Sequence, residues 1–177
     1  MAQKDRTRLV CQFLYYLSVL SLVMMPVLLV VVWLYADSIV AANGMIPAAA
    51  IQIPLSVSSK SFLVLLTAIV GAPTYWGLFS LRRFLKACCA EDYLGARNSR
   101  YLKRFAFGLI GSALLSPISG AVLSVLLTMH NPPGKKMLAI GISSNQITLA
   151  AVGGLLFVLA NLLQRASLIA DENAQII

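Results

Sequence analysis

The sequence is short of charge and of the side chains that usually carry chemistry. Only 11% of its 177 residues are charged, six of these are acidic, and it has one histidine. Soluble domains carry about 25% charged residues. So little charge cannot cover a water-soluble surface, which excludes an ordinary soluble enzyme, a disordered chain and a nucleic-acid-binding globule. A metal or haem site built from several histidines is excluded too, and we expect no catalytic residue, no metal, no cofactor and no direct contact with nucleic acid.

Apolar residues make up 59% of the chain and gather in four runs free of charge. Between their flanking charged or histidine residues the runs hold 28, 21, 25 and 28 residues. About 20 apolar residues in a helix cross the roughly 30 Å of membrane hydrocarbon, and lipid favours helices because it offers the backbone no hydrogen-bond partner. We therefore expect an all-α integral membrane protein, a four-transmembrane-helix bundle in a single membrane domain, 1–177. Its helices are predicted at about 9–36, 61–81, 105–129 and 147–165.

The basic residues predict the orientation of these spans. Eleven Lys or Arg residues lie at the N-terminus, in the loop 82–104 and in the tail 165–177, against three on the other side. Because cytoplasmic segments carry the excess of Lys and Arg, both termini and the loop 82–104 are expected in the cytoplasm. Helical spacing of apolar residues also predicts that the second helix extends past Arg82, and that the tail extends the fourth helix.

Two stretches on the opposite side alternate between apolar and polar residues. They cover 51–59 and about 138–144. Period-two alternation is typical of extended chain, so the two stretches either pair as a short β-hairpin or remain separate loops.

No ionisable residue falls inside a predicted span, and this absence bears directly on function. All six acidic residues lie at helix ends or outside the spans, and His130 lies at a boundary. A proton-coupled exporter needs a buried carboxylate and an intramembrane serine protease needs a deep histidine, so both classes are disfavoured.

Small residues recur every fourth position along the third helix. They are Gly108, Ser112, Ser116, Gly120 and Ser124. Small residues at this spacing let two helices approach closely. Packing inside the bundle is the favoured interpretation, and association of two copies into a homo-oligomer is the alternative.

The approach to the third helix and the C-terminal tail carry two further motifs. Apolar, Asn and Leu residues stand four apart and lead straight into the helix, and an acidic Asp-Glu-Asn triplet lies near the C-terminus. The residues are Leu94, Asn98, Leu102, Lys103, Arg104 and Phe105, with Asp171, Glu172 and Asn173 in the tail. In this pattern, from about Leu78 onward, the chain resembles a bacterial family of four-helix membrane proteins, domain of unknown function 2975 (DUF2975). Glu91 and Gly95 stand where that family has Gly and Ser or Thr.

The resemblance implies a protein of the bacterial cytoplasmic (inner) membrane without an agreed biochemical activity. Members are often encoded beside a small helix-turn-helix regulator, which implies a membrane adaptor or sensor that docks such a cytosolic partner. The expected docking residues are Arg97, Asn98, Arg100, Leu102, Asp171, Glu172 and Asn173. For the basic residues taken alone, topology and contact with anionic lipid in the surrounding bilayer are the favoured interpretation, because topology by itself demands these charges. An accessory subunit of a membrane complex and a small transporter or channel subunit are the alternative functions.

Overall fold

Four long helices and one short helix make up most of the chain that the structure describes. The computed structural model describes residues 2–42, 54–90, 96–128 and 138–175, with side chains for 8–42, 54–90, 97–128 and 138–169. Its helices are α1 (Ala2–Leu34), α2 (Ala36–Ala42), α3 (Val57–Cys89), α4 (Ala96–Thr128) and α5 (Ser144–Gln175). All except the short α2 are long and apolar enough to cross a membrane. This confirms the predicted all-α architecture with four candidate spans, which fits an integral membrane protein.

The helices extend beyond the charge-free runs at the end of the molecule where the basic residues gather. The segment 82–104 was expected to be a loop after its first turns, yet α3 continues to Cys89 and α4 begins at Ala96. Charge-free runs mark the part of a helix that suits hydrocarbon, whereas Lys and Arg are good helix formers in water. Burial of Leu85 and Cys88 confirms the predicted amphipathic extension of α3. The predicted helical tail is confirmed as well, because α5 runs to Gln175.

At the opposite end, the described residues contain no part of the possible hairpin. Residues 43–53 and 129–137 lie outside the described residues, and no strand occurs in the ranges that the structure describes. Val57 to Ser59, predicted to be extended, open α3, because Ser56 caps the helix by accepting a hydrogen bond from the Ser59 N–H over 3.2 Å. A backbone donor that a strand pair would use is also occupied: the Ala139 N–H donates to Ser124 Oγ over 2.9 Å.

Successive long helices pack side by side in the order α1, α3, α4, α5 and run antiparallel to their neighbours. At the α3–α4 crossing, a Cβ added to Gly108 would lie 2.5 Å from the Pro73 carbonyl oxygen and 3.0 Å from the Gly77 Cα. The α4–α5 crossing is similarly tight, since a Cβ on Gly153 would lie 3.2 Å from the Ala106 carbonyl oxygen. Among the described residues α1 and α5 make no extensive contact, so the predicted bundle is an open row.

Burial follows the pattern of a protein in lipid. Large apolar side chains face outward, with Leu114 at 65% and Leu155 at 66% exposure, while small and hydroxyl-bearing residues fill the helix contacts. Buried hydroxyls such as those of Ser112 and Thr128 donate to carbonyl oxygens three or four residues earlier in their own helix. The interior therefore owes its packing to close helix approach, as in membrane helices, rather than to a large aliphatic core.

Candidate docking surface and intramembrane cavity

Four basic side chains at one end of the row lie over aromatic rings of the same chain. This end, which we call the basic end, holds the C-terminal part of α3 and the N-terminal part of α4. The cation–ring pairs are Arg82 with Tyr15, Arg83 with Phe79, Lys103 with Phe157 and Arg104 with Trp76, at 4.7–6.0 Å from the ring centroids. Aromatic and basic side chains favour the boundary between hydrocarbon and water, so these pairs mark where the helices leave the hydrophobic layer.

Arg97 and Arg100 lie one to two turns beyond this aromatic layer and behave differently. Both side chains are exposed, and neither makes a hydrogen bond, ion pair or ring contact with any residue that the structure describes. Three residues apart on α4, they share one helix face. Their two guanidinium groups are thus presented to solvent without an intramolecular partner in the described chain.

The remaining predicted docking residues are placed elsewhere. Asn98 is 1% exposed and Leu102 9%, so the chain itself covers both, and Asn98 is engaged in polar contact. With buried Ser99 they fix the rotation of the first turns of α4, which directs Arg97 and Arg100 outward. Side chains of Asp171, Glu172 and Asn173 lie outside the described residues, so whether the acidic tail meets the basic residues stays a prediction.

The small-residue stripe of α4 serves two purposes. Gly108 forms the α3 crossing, and Ser112 is buried with its hydroxyl bound to the Leu109 carbonyl. Ser124 is buried and accepts the Ala139 N–H. Ser116 and Gly120 line a cavity that Ser112 also borders, and a Cβ on Gly120 would have no neighbour within 4 Å. Packing within one chain accounts for the two ends of the stripe, and its middle remains open.

That cavity has a volume of about 860 Å³ and lies among α1, α3, α4 and the start of α5. Its α1 wall is apolar and includes Met25 and Leu29. The wall formed by α3, α4 and α5 carries hydroxyl and amide groups. These polar groups belong to Thr67, Thr74, Tyr75, Ser112, Ser116, Ser119 and Gln146. None of the lining residues is charged or a histidine, so the cavity is amphiphilic and electrically neutral.

Gln146 is the functional side chain that the sequence pattern did not single out. Its Oε1 accepts the Ser143 N–H over 2.7 Å, a cap on the start of α5, while its Nε2 donates to Ser116 Oγ over 2.8 Å. The signal in the sequence was a polar amide at the edge of a charge-free run. The sequence does not show that this amide lies within hydrogen-bonding distance of Ser116 on α4, so it could not be distinguished from the amide of a loop residue.

An ion pair holds the end opposite to the basic end. Lys60 Nζ donates to Asp37 Oδ2 over 2.6 Å, and the Leu55 N–H donates to Asp37 Oδ1 over 2.8 Å. The hydrogen bond from Lys60, followed by that from Leu55, lowers the pKa of Asp37 below its ordinary value. Asp37 thereby ties the short helix α2 to the chain leading into α3. Next to it, Ala36 and Val40 pack on Leu63 and close this end of the row.

Comparison of the chain with protein-family models, with curated proteins and with solved structures finds no significant match.

Proposed function

We propose that this protein is a non-enzymatic membrane adaptor or sensor of the bacterial inner membrane that docks an acidic surface of a cytosolic protein at Arg97 and Arg100. A small helix-turn-helix regulator, as in the DUF2975 family that the sequence resembles, is the partner we favour. The observation that carries the proposal is the contrast within the basic end. Four basic residues there are held on aromatic rings, whereas Arg97 and Arg100 are exposed and have no partner in the described chain. Lys86 and Arg165 share that exposure, but only Arg97 and Arg100 lie together on one face of a single helix.

Topology and lipid attraction explain basic residues at the membrane boundary, but they explain Arg97 and Arg100 less well. The aromatic pairs already place the boundary near Arg104 and Lys103, one to two turns nearer the centre of α4. Burial of Asn98 and Leu102 then prevents the first turns of α4 from rotating to bring Arg97 and Arg100 towards the lipid. Two guanidinium groups on one helix face suit bidentate recognition of carboxylates on a protein surface.

A transporter is less well supported than an adaptor. The cavity reaches Tyr75 on α3 and Ser112 on α4, and the Gly77–Gly108 crossing lies between it and the basic end. In the described chain it therefore opens no path through the row, and its lining offers no carboxylate, histidine, lysine or arginine for coupling to protons.

Charge reversal tests the adaptor role. The double variant Arg97→Glu/Arg100→Glu should lose the co-purifying helix-turn-helix regulator when the protein is purified from native membranes, by tenfold or more for two charge-assisted contacts at about 1.5 kcal/mol each. The matched control is Lys86→Glu/Arg165→Glu, which makes the same change in charge at exposed positions of the same end. Orientation should survive in either variant, since nine basic residues still oppose three. Equal recovery of the regulator with both double variants would contradict the proposal.

A further inference from the structure

The cavity among α1, α3, α4 and α5 has the features of a ligand site, and it lies away from the proposed docking residues. Its volume of about 860 Å³ falls within the roughly 300–1,000 Å³ of small-molecule sites. On α3 its lining runs from Leu63 to Tyr75, which is about 18 Å of helix or more than half of the hydrocarbon thickness. A molecule that fills the cavity over this distance must lie parallel to the helix axes.

The way into the cavity is sideways. Towards the basic end, the close crossing of Gly77 and Gly108 joins α3 to α4. Towards the other end, Val32, Leu63 and Leu123 pack with the buried residues of α2. Because α1 and α5 make no extensive contact in the described chain, the remaining opening lies between these two helices and faces lipid. The ligand is therefore drawn from the bilayer.

The residues that line the cavity also indicate the chemistry of the ligand. No charged group is available to balance a carboxylate, phosphate or ammonium, so a charged head group would be desolvated without compensation. Within the described residues, the hydroxyls of Thr74 and Tyr75 make no hydrogen bond, and Ser116 Oγ accepts from Gln146 while its own proton has no acceptor. Polar groups inside a membrane are costly when unpaired, so a hydroxyl or carbonyl on the ligand would stabilise them.

We propose that this cavity binds an uncharged lipid with a single hydroxyl or carbonyl head, which enters between α1 and α5, places its head at the hydroxyl of either Thr74 or Ser116, and packs its apolar body against α1. The inference does not depend on the docking role of Arg97 and Arg100.

Photolabelling in lipid nanodiscs tests the proposal with three probes of matched chain length. They are diazirine-bearing hexadecanol, hexadecane and palmitate, at equal mole fraction in the bilayer. Hexadecanol should label peptides that contain Met25 and Thr74, about three- to tenfold above hexadecane, the preference that one hydrogen bond supports. Palmitate should not exceed hexadecane at these peptides. Labelling spread evenly over all lipid-facing peptides, or palmitate labelling as strong as that by hexadecanol, would overturn the proposal.

Two glycines provide a matched pair of variants. A Cβ on either Gly120 or Gly154 meets no atom within 4 Å, but only Gly120 lines the cavity. Gly120→Leu should reduce cavity labelling about tenfold or more, the scale on which an apolar pocket responds to a misplaced methylene, while Gly154→Leu leaves it unchanged. Ala72→Leu, also in the lining, is the second filling variant should Gly120→Leu fold poorly. Unchanged labelling in a folded filling variant, or crosslinks at these residues to a second copy of the chain, would overturn the proposal.

A separate variant tests where the head group of the ligand binds. Thr74→Val combined with Ser116→Ala removes two hydroxyls with little change in shape. The preference for hexadecanol over hexadecane should fall to about one, since the hydrogen bonds that support it are gone. If the preference survives in this variant, the placement of the head at Thr74 or Ser116 is wrong.

Discussion

At the scale of single residues, glycines decide how closely the helices approach. A Cβ added to Gly108 would lie 2.5 Å from the Pro73 carbonyl oxygen, whereas a Cβ added to Gly120 would have no atom within 4 Å. Gly108→Ala should therefore lower the free energy of unfolding in detergent by about 1–3 kcal/mol, because α3 and α4 must separate. Gly120→Ala should raise it by up to about 1 kcal/mol through the better helix propensity of alanine. Equal effects of the two substitutions would contradict the α3–α4 crossing.

A second prediction at this scale concerns Asp37 and the dependence of stability on pH. Its pKa is lowered, first by the hydrogen bond from Lys60 and then by that from Leu55. A lowered pKa contributes stability above the ordinary aspartate range, and this contribution is lost as the pH falls through the folded-state value. Wild type should thus be more stable than Asp37→Asn at neutral pH, and the two should converge in acid. Thermal unfolding across pH 2–7 checks this, and a difference independent of pH would contradict it.

At the scale of elements, charge spacing predicted the four long helices but not their ends. The 21 uncharged residues from Ser61 to Leu81 correspond to a helix of 33 residues, Val57–Cys89. Hydrophobicity reports the part of a helix that suits lipid, while caps such as Ser56 and packing of residues such as Leu85 determine where it begins and ends. The extended conformation predicted for 57–59 was wrong for the same reason: alternation of apolar and polar residues carries no information about a cap.

The site was predicted in part on similar grounds. Arg97 and Arg100 are as exposed as the charge pattern suggested, but Asn98 and Leu102 are buried, and a four-residue spacing fits an inward face as well as an outward one. The cavity depends on residues from four helices. Nothing along one chain indicates that α1 and α5 stay apart, so neither Gln146 nor the open middle of the α4 stripe could be recognised.

The start of α5 is an element held by one side chain. Gln146 caps its own helix at Ser143 and reaches Ser116 on α4. Gln146→Leu should destabilise the protein by about 1–3 kcal/mol, the sum of two hydrogen bonds. Hydrogen exchange of the amides from Ser144 to Thr148 should accelerate. Thr148→Val is the control, since that exposed hydroxyl bonds only within its helix, and it should change either quantity little.

At the scale of the whole molecule, the antiparallel row places the basic end and the Asp37–Lys60 end on opposite sides of the membrane. The excess of 11 basic residues over three predicts that the basic end is cytoplasmic. In a variant without native cysteines, Arg100→Cys should react with a membrane-impermeant maleimide only after cells are permeabilised, whereas Ser58→Cys should react in intact cells. The reverse pattern would contradict the orientation and with it the access of a cytosolic partner to Arg97 and Arg100.

The docking role of Arg97 and Arg100 is tested most directly by a photocrosslinking amino acid at position 100 in living cells, compared with the same residue at position 165. Both positions are exposed at the basic end, but only position 100 lies beside Arg97 on the proposed surface. We predict an adduct at position 100 that contains a small helix-turn-helix regulator, that is absent at position 165, and that disappears when Arg97 is also changed to Glu. Adducts with lipid alone at position 100, or the same adduct at both positions, would contradict the proposed function.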